Sequence, residues 1–133
     1  MPESFVDTWF FVARLNRLDS HYRAAQRLEA RYRGDLVTHD GVLTEVLAFF
    51  SGLGETARME AARIVRRTIR ETTVLELDRR LFLAALKLYE ERRDKEYSLV
   101  DCASMVVMRD RGIHHVLTND RHFTQEGFTL LNA

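Results

Sequence analysis

The chain carries a single cysteine, Cys102, among 133 residues. With no partner in the chain, an intramolecular disulfide is excluded, and its apolar neighbours mark it as a reduced thiol packed in a core. Pro2 is the only proline and the six glycines are scattered. Linkers, repeats and low-complexity tracts are therefore missing, and one domain over 1–133 is expected. No apolar run approaches the ~20 residues of a membrane helix, so no membrane association is expected. The basic-then-apolar order of a secretion signal is also missing, because Glu3 and Asp7 flank the first hydrophobic patch. A cytoplasmic protein is the expectation. Nor is either charge in excess: twenty basic residues balance twenty acidic ones, which leaves net charge silent about nucleic acid. Lysine itself is scarce. Only Lys87 and Lys95 occur, and every other basic residue is arginine. Arginine suits bidentate phosphate recognition, although a GC-rich genome or a heat-adapted source gives the same bias.

What is present is a 46% hydrophobic chain, enough for one proper core and too apolar for disorder. Short apolar runs alternate with longer helical patterns, the mark of an α/β domain with a mainly parallel sheet. Ser4-Phe5-Val6 reads as a buried strand, followed by a helix from Trp9 to about Arg17. Asp19-Ser20 offers capping chemistry for a second helix that ends before Gly34. Leu36 to Thr38 is a second strand, and Asp40 to Phe50 a helix that stops near Gly52 and Gly54. An amphipathic helix runs from Glu55 to about Arg70, followed by a strand over Thr72 to Leu77. Asp78 caps a helix to about Arg92, and Ser98 another from Leu99 to Met108. His115 to Thr118 and Phe128 to Leu131 complete five strands.

Four acids stand out, each with an ordinary alternative beside it. Asp7 follows the first strand, where an N-cap would sit, but also where open α/β sheets place their ligands. Glu45 is embedded in Val42-Leu43-Thr44-Glu45-Val46-Leu47, and a carboxylate among core residues must be paired, hydrogen-bonded or bound to metal; the ordinary reading puts it on a narrow polar edge. Asp101 fits a capping box with Ser98, yet its helix continues nearly apolar all round and is expected to be deeply buried. Asp120 suits an Asx turn after the fourth strand, with the Thr118 hydroxyl close enough to orient a carboxylate. Taken together, two acids follow central strands and two sit in the first turns of buried helices. Such a cluster requires a counter-charge, and oxygen-only ligands select hard ions such as Mg²⁺ or Mn²⁺.

These pieces, Phe5-Val6-Asp7-Thr8, Thr44-Glu45-Val46, Ser98-Leu99-Val100-Asp101-Cys102-Ala103 and Leu117-Thr118-Asn119-Asp120-Arg121-His122-Phe123, occur in an order and spacing that resemble the PIN-domain nucleases. The resemblance is greatest to the VapC-type ribonuclease toxins of toxin–antitoxin modules and covers essentially the whole chain. It implies a three-layer α/β/α fold with a mainly parallel five-stranded sheet. It also implies a catalytic and metal-binding site of Asp7, Glu45, Asp101 and Asp120, supported by the hydroxyls of Thr118 and Thr8. Mg²⁺ or Mn²⁺ dependence, hydrolysis of RNA by metal-activated water, homodimerisation and inhibition by a cognate antitoxin are implied as well. Two positions depart from the family pattern. Trp9 stands where Asn or Ser often follows the Asp-Thr pair, and His122 stands where many members carry a further acid.

Arg14, Arg17 and Arg121 are candidates for phosphate contacts, with solvated helix faces as the ordinary reading. Arg23, Arg27 and Arg31 form a stripe more suited to a surface or a partner. His39, His114 and His115 lack zinc-ligand spacing with any cysteine. Three rival readings remain at this level. One is a housekeeping PIN nuclease without an antitoxin, and another a non-catalytic PIN-like binding module. The third is a Mg²⁺-binding signalling receiver, with Asp78 as its phospho-acceptor, although no lysine follows Lys95.

Overall fold

The structure, a computed structural model, describes residues 2–16, 20–31 and 35–131. Its elements run β1 (Ser4–Val6), α1 (Thr8–Leu15), α2 (Tyr22–Arg31), β2 (Leu36–His39), α3 (Asp40–Phe50), α4 (Glu55–Glu71), β3 (Thr73–Leu75), α5 (Arg79–Glu91), α6 (Leu99–Arg111), β4 (His115–Leu117), α7 (His122–Gln125) and β5 (Thr129–Leu131). The five strands form one sheet in the order β3-β2-β1-β4-β5, and all four pairings are parallel. Asp19 and Gly34, expected to start and stop the second helix, lie outside the described residues.

Consecutive residues of the central strands are buried together: Phe5 with Val6, Val37 with Thr38 and His39, and Val116 with Leu117. A strand buried on both faces must be covered on both, so helices sandwich the sheet in three layers. The helices that carry the later argument are locally well specified. The Asp78 side chain accepts from the Leu81 amide at the start of α5. α6 opens with a full capping box between Ser98 and Asp101 and closes on Gly112 in the left-handed region, with φ 67°. Residues 102–105, 107 and 108 of α6 are buried, as expected for a helix that is apolar nearly all round.

His39 links three elements. Its Nδ1 accepts from the Gly41 amide at 3.0 Å, so the ring proton sits on Nε2, which donates to Ser104 Oγ at 2.9 Å. Ser104 in turn donates to the Val100 carbonyl at 3.0 Å. A Cβ at Gly41 would stand 2.7 Å from the imidazole Cε1, so only glycine lets the ring cap α3. Through this one side chain β2 is tied to the start of α3 and to the middle of α6.

Several sequence expectations needed adjustment. The third strand is shorter than Thr72 to Leu77, because only Thr73–Leu75 pair with β2. The short helix α7 had no sequence signal beyond the Asx turn that precedes it. α3 is less enclosed than its apolar run implied. Leu47, Ala48 and Phe49 face solvent, because no element among the described residues covers that side of α3.

Candidate metal centre

In the sheet order, β1 leads by α1 and α2 to β2 on one side, whereas β4 returns to pair with β1 on the other. The strand order reverses between β1 and β4, and open α/β sheets bind ligands beyond the carboxyl ends of strands at that point. Asp7 follows β1 directly. Thr118, Asn119 and Asp120 follow β4 directly, and the Asp7 amide donates to the Leu117 carbonyl at 3.3 Å. The two loops therefore open at the same place by construction.

Asp7 occupies the N-cap position of α1, but its carboxylate makes no capping hydrogen bond. It accepts instead from Thr118 Oγ1 at 2.7 Å. Only 5% of Asp7 is exposed. Burial pushes its carboxyl up to about 7, the Thr118 hydrogen bond pulls it back, and Asp101 and Asp120 raise it further. The interaction with both of those acids places all three around one region. Burial also raises the Glu45 carboxyl, against the hydrogen bond it accepts from Thr8 Oγ1 at 2.6 Å, and Asp101 adds to the shift. Glu45 is half-buried rather than core-enclosed, which meets the two alternatives read from its sequence midway.

Asp101 and Asp120 keep their local roles while facing the site. Asp101 Oδ2 accepts from the Ser98 amide at 3.1 Å, within the capping box. Burial raises its carboxyl, the Ser98 amide opposes this, and Asp120 raises it again. Asp120 Oδ1 accepts from the His122 amide at 2.9 Å in the expected Asx turn. The Asp120 amide donates to Thr118 Oγ1 at 3.1 Å. Thr118 thus supports two of the acids at once, and Thr8 a third.

One functional candidate escaped the sequence. Ligand atoms of Asp101, Asp120 and His122 all lie within 4.8 Å of one another, the reach of donors that share one ion. His122 Nδ1 is 3.3 Å from Asp120 and 3.7 Å from Asp101. It was legible only as a departure from a family pattern, although the Asp-x-His spacing with an Asx turn is what folds ring and carboxylate together. Among the described residues no arginine or lysine pairs with the four acids; their ion-pair contacts are those with His122. A buried nitrogen without a hydrogen-bond partner beside carboxylates with no arginine or lysine partner among the described residues is a donor set that fits a divalent metal ion.

The remaining candidates divide. Arg14 forms an ion pair with Glu29 and lies over the Tyr22 ring, 5.8 Å from its centroid, so its guanidinium is already engaged away from the acids. Arg17 lies outside the described residues. Arg121 is exposed beside Asp120. Trp9 packs edge-on against His21, with centroids 5.5 Å apart. Cys102 is fully buried, and burial pushes its thiol up to about 11, as a packed, unreactive cysteine should be. Asp78 caps α5 after an edge strand. A receiver domain orders its strands 2-1-3-4-5; the order here is 3-2-1-4-5, and that rival is excluded.

Residues 4–128 match the PIN domain family model, and the chain belongs to that family. Within it, the chain is 32% identical over 125 residues to the 23S rRNA-specific endonuclease VapC20 of Mycobacterium tuberculosis, covering 93% of this chain and 94% of that protein. The crystal structure of VapC20, described as a sarcin-ricin loop cleaving toxin, superposes with a TM-score of 0.86 at 30% identity, covering 97% of this chain and 98% of that one. DNA-bound VapBC from Salmonella typhimurium shares the fold, with a TM-score of 0.67 at 17% identity over 98% of both chains.

Proposed function

We propose that this chain is a divalent-metal-dependent endoribonuclease, the toxin of a toxin–antitoxin pair, acting on structured ribosomal RNA in the cytoplasm. The observation that carries the reading is the meeting of Asp7, Asp101 and Asp120 at the β1/β4 reversal, with Asp7 buried and its carboxyl pushed up to about 7. Similarity to VapC20 across nearly the full length supports both the reaction and the ribosomal substrate class.

In this reading Asp7, Asp101 and Asp120 hold Mg²⁺ or Mn²⁺, and Glu45 completes the set. The ion supplies charge stabilisation at the scissile phosphate and lowers the pKa of the attacking water. Thr118 fixes the Asp7 carboxylate and the turn that bears Asp120. Glu45, held by Thr8 and with its carboxyl raised by burial, orients the water for in-line attack, leaving a 5′-phosphate and a 3′-hydroxyl. Arg121 at the rim contacts backbone phosphate.

The exposed Leu47, Phe49, Leu53 and Met59 on α3, the turn after it and α4 offer an apolar surface for the antitoxin. Leu83, Leu86 and Tyr89 on α5 offer another for a homodimer. No helix among the described residues is long and apolar enough to cross a membrane.

The test is cleavage of a mixed pool of single-stranded RNA and ribosomal RNA with Mg²⁺, with Mn²⁺ and with EDTA, alongside Asp7→Asn. Metal-dependent cutting of ribosomal RNA, lost in EDTA and in the variant, is expected. Metal-independent cutting, or equal cutting by the variant, overturns the assignment. Binding without cleavage moves the chain to the non-catalytic reading.

A further inference from the structure

The nitrogen of His122 deepens that reading, and the inference rests on it. His122 Nδ1 is buried and makes no hydrogen bond. It nevertheless lies close to two carboxylates, 3.3 Å from Asp120 Oδ1 and 3.7 Å from Asp101 Oδ2. The ring is held there from two sides. Its own backbone amide donates to Asp120 Oδ1 at 2.9 Å, which fixes the residue against that acid. The Tyr97 ring lies against it with centroids 5.3 Å apart. Tyr97 is in turn fixed through its hydroxyl, which donates to Glu126 at 3.0 Å. A buried donor or acceptor left unpaired costs stability, so a side chain so well positioned and so poorly satisfied calls for a partner that all three ligand atoms share.

We infer that His122 is itself a ligand of the ion, through Nδ1, so that the centre is a mixed imidazole–carboxylate set with Asp101 and Asp120. An all-oxygen set suits Mg²⁺; an imidazole nitrogen moves preference along the transition series toward ions that accept nitrogen donors. The centre therefore discriminates in favour of Mn²⁺ over Mg²⁺. Among the other histidines, His39 has both ring nitrogens engaged, with Gly41 and Ser104, and His114 and His115 are exposed at the start of β4, the end opposite the acids.

Mn²⁺-loaded full-length protein should show ¹⁴N modulation in electron spin-echo spectra, and His122→Ala should abolish it. Calorimetric titration should show Mn²⁺ affinity falling about tenfold or more in His122→Ala, at least the ~10- to 100-fold that loss of a group merely supporting a ligand costs, while Mg²⁺ affinity is nearly unchanged. His122→Asp, which restores an oxygen donor, should narrow the Mn²⁺ to Mg²⁺ ratio and serves as the second variant should the alanine protein fold poorly. Mn²⁺ bound without a ¹⁴N signal, or with affinity unchanged in both variants, overturns the ligand assignment and leaves the metal-dependent reading standing. Failure of the wild type to bind Mn²⁺ at all overturns both.

Discussion

Thr118 Oγ1 donates a hydrogen bond of 2.7 Å to Asp7 Oδ2 across 111 residues of chain, and the same oxygen accepts from the Asp120 amide at 3.1 Å. One hydroxyl thereby couples the acid after β1 to the acid after β4. It also lowers the Asp7 carboxyl against the burial that raises it.

Thr118→Val keeps the shape and removes that donor. The Asp7 carboxyl should then rise further, leaving more of it protonated at pH 7. A hydrogen bond to a charged group contributes ~1.5–3 kcal/mol, so cleavage at pH 7 should fall roughly 10- to 100-fold and recover in part at higher pH. Thr118→Ser should retain most activity. Initial rates across pH 6 to 9 are the measurement, and an unshifted profile in the valine variant removes Thr118 from this role.

Asp7→Asn should stabilise the metal-free protein while abolishing cleavage. The folded carboxyl, raised to about 7 from its usual 3.8, makes folding less favourable as pH rises from 3.8 through 7. Above that window the fold carries the full cost of the buried charge. Asparagine still accepts from Thr118 without that charge. At pH 8 in EDTA the variant should gain of the order of 2–4 kcal/mol, read from denaturant midpoints. A variant no more stable than wild type means that the charge is compensated in the metal-free state.

His39 supplies the opposite dependence. Burial pulls its ring down to about 4 from the usual 6.5, so its contribution is complete above pH 6.5 and is lost as pH falls toward 4. In the wild type Asp7 regains stability over nearly the same interval, and the two trends offset. Asp7→Asn should therefore lose stability between pH 6.5 and 4 more steeply than the wild type. Midpoints at pH 7.5, 5.5 and 4.5 for both proteins check this, and parallel curves refute it.

Glu126 is a structural lock rather than a site residue. It takes two hydrogen bonds from Arg92, one from Arg109 and one from Tyr97, with its side chain only 5% exposed. The Arg92 hydrogen bonds foremost, with Arg109 and Tyr97, hold its carboxyl down to about 2 from a usual 4.5. That stability is present above pH 4.5 and lost as pH falls toward 2. Since Arg92 and Arg109 are 33% and 44% exposed, solvent screening reduces the effect. Glu126→Gln should cost about 1–3 kcal/mol at pH 7 and flatten the acid limb between pH 4.5 and 2 in urea unfolding.

The amino-acid sequence by itself determined most of the elements, though not α7 or the length of β3, and singled out the four acids as candidates. Short apolar runs and period-3.6 patterns, the caps at Asp78 and Ser98 and the turn at Asp120 are local signals, legible within a few residues of chain. The order of the motif pieces, with the helical crossovers between strands, pointed to the family before any distance was known. What the chain could not reveal locally was which edges met. The reversal between β1 and β4, the burial of Asp7, the turning of Arg14 toward Glu29 and the exposed side of α3 depend on contacts between residues far apart in sequence. His122 shows the difference most plainly. In the sequence it is one histidine two places after an aspartate. Only packing against Tyr97 and the start of α6 leaves its nitrogen dry, unpartnered and within 4 Å of two carboxylates, because desolvation and convergence are properties of a folded volume and not of a linear neighbourhood.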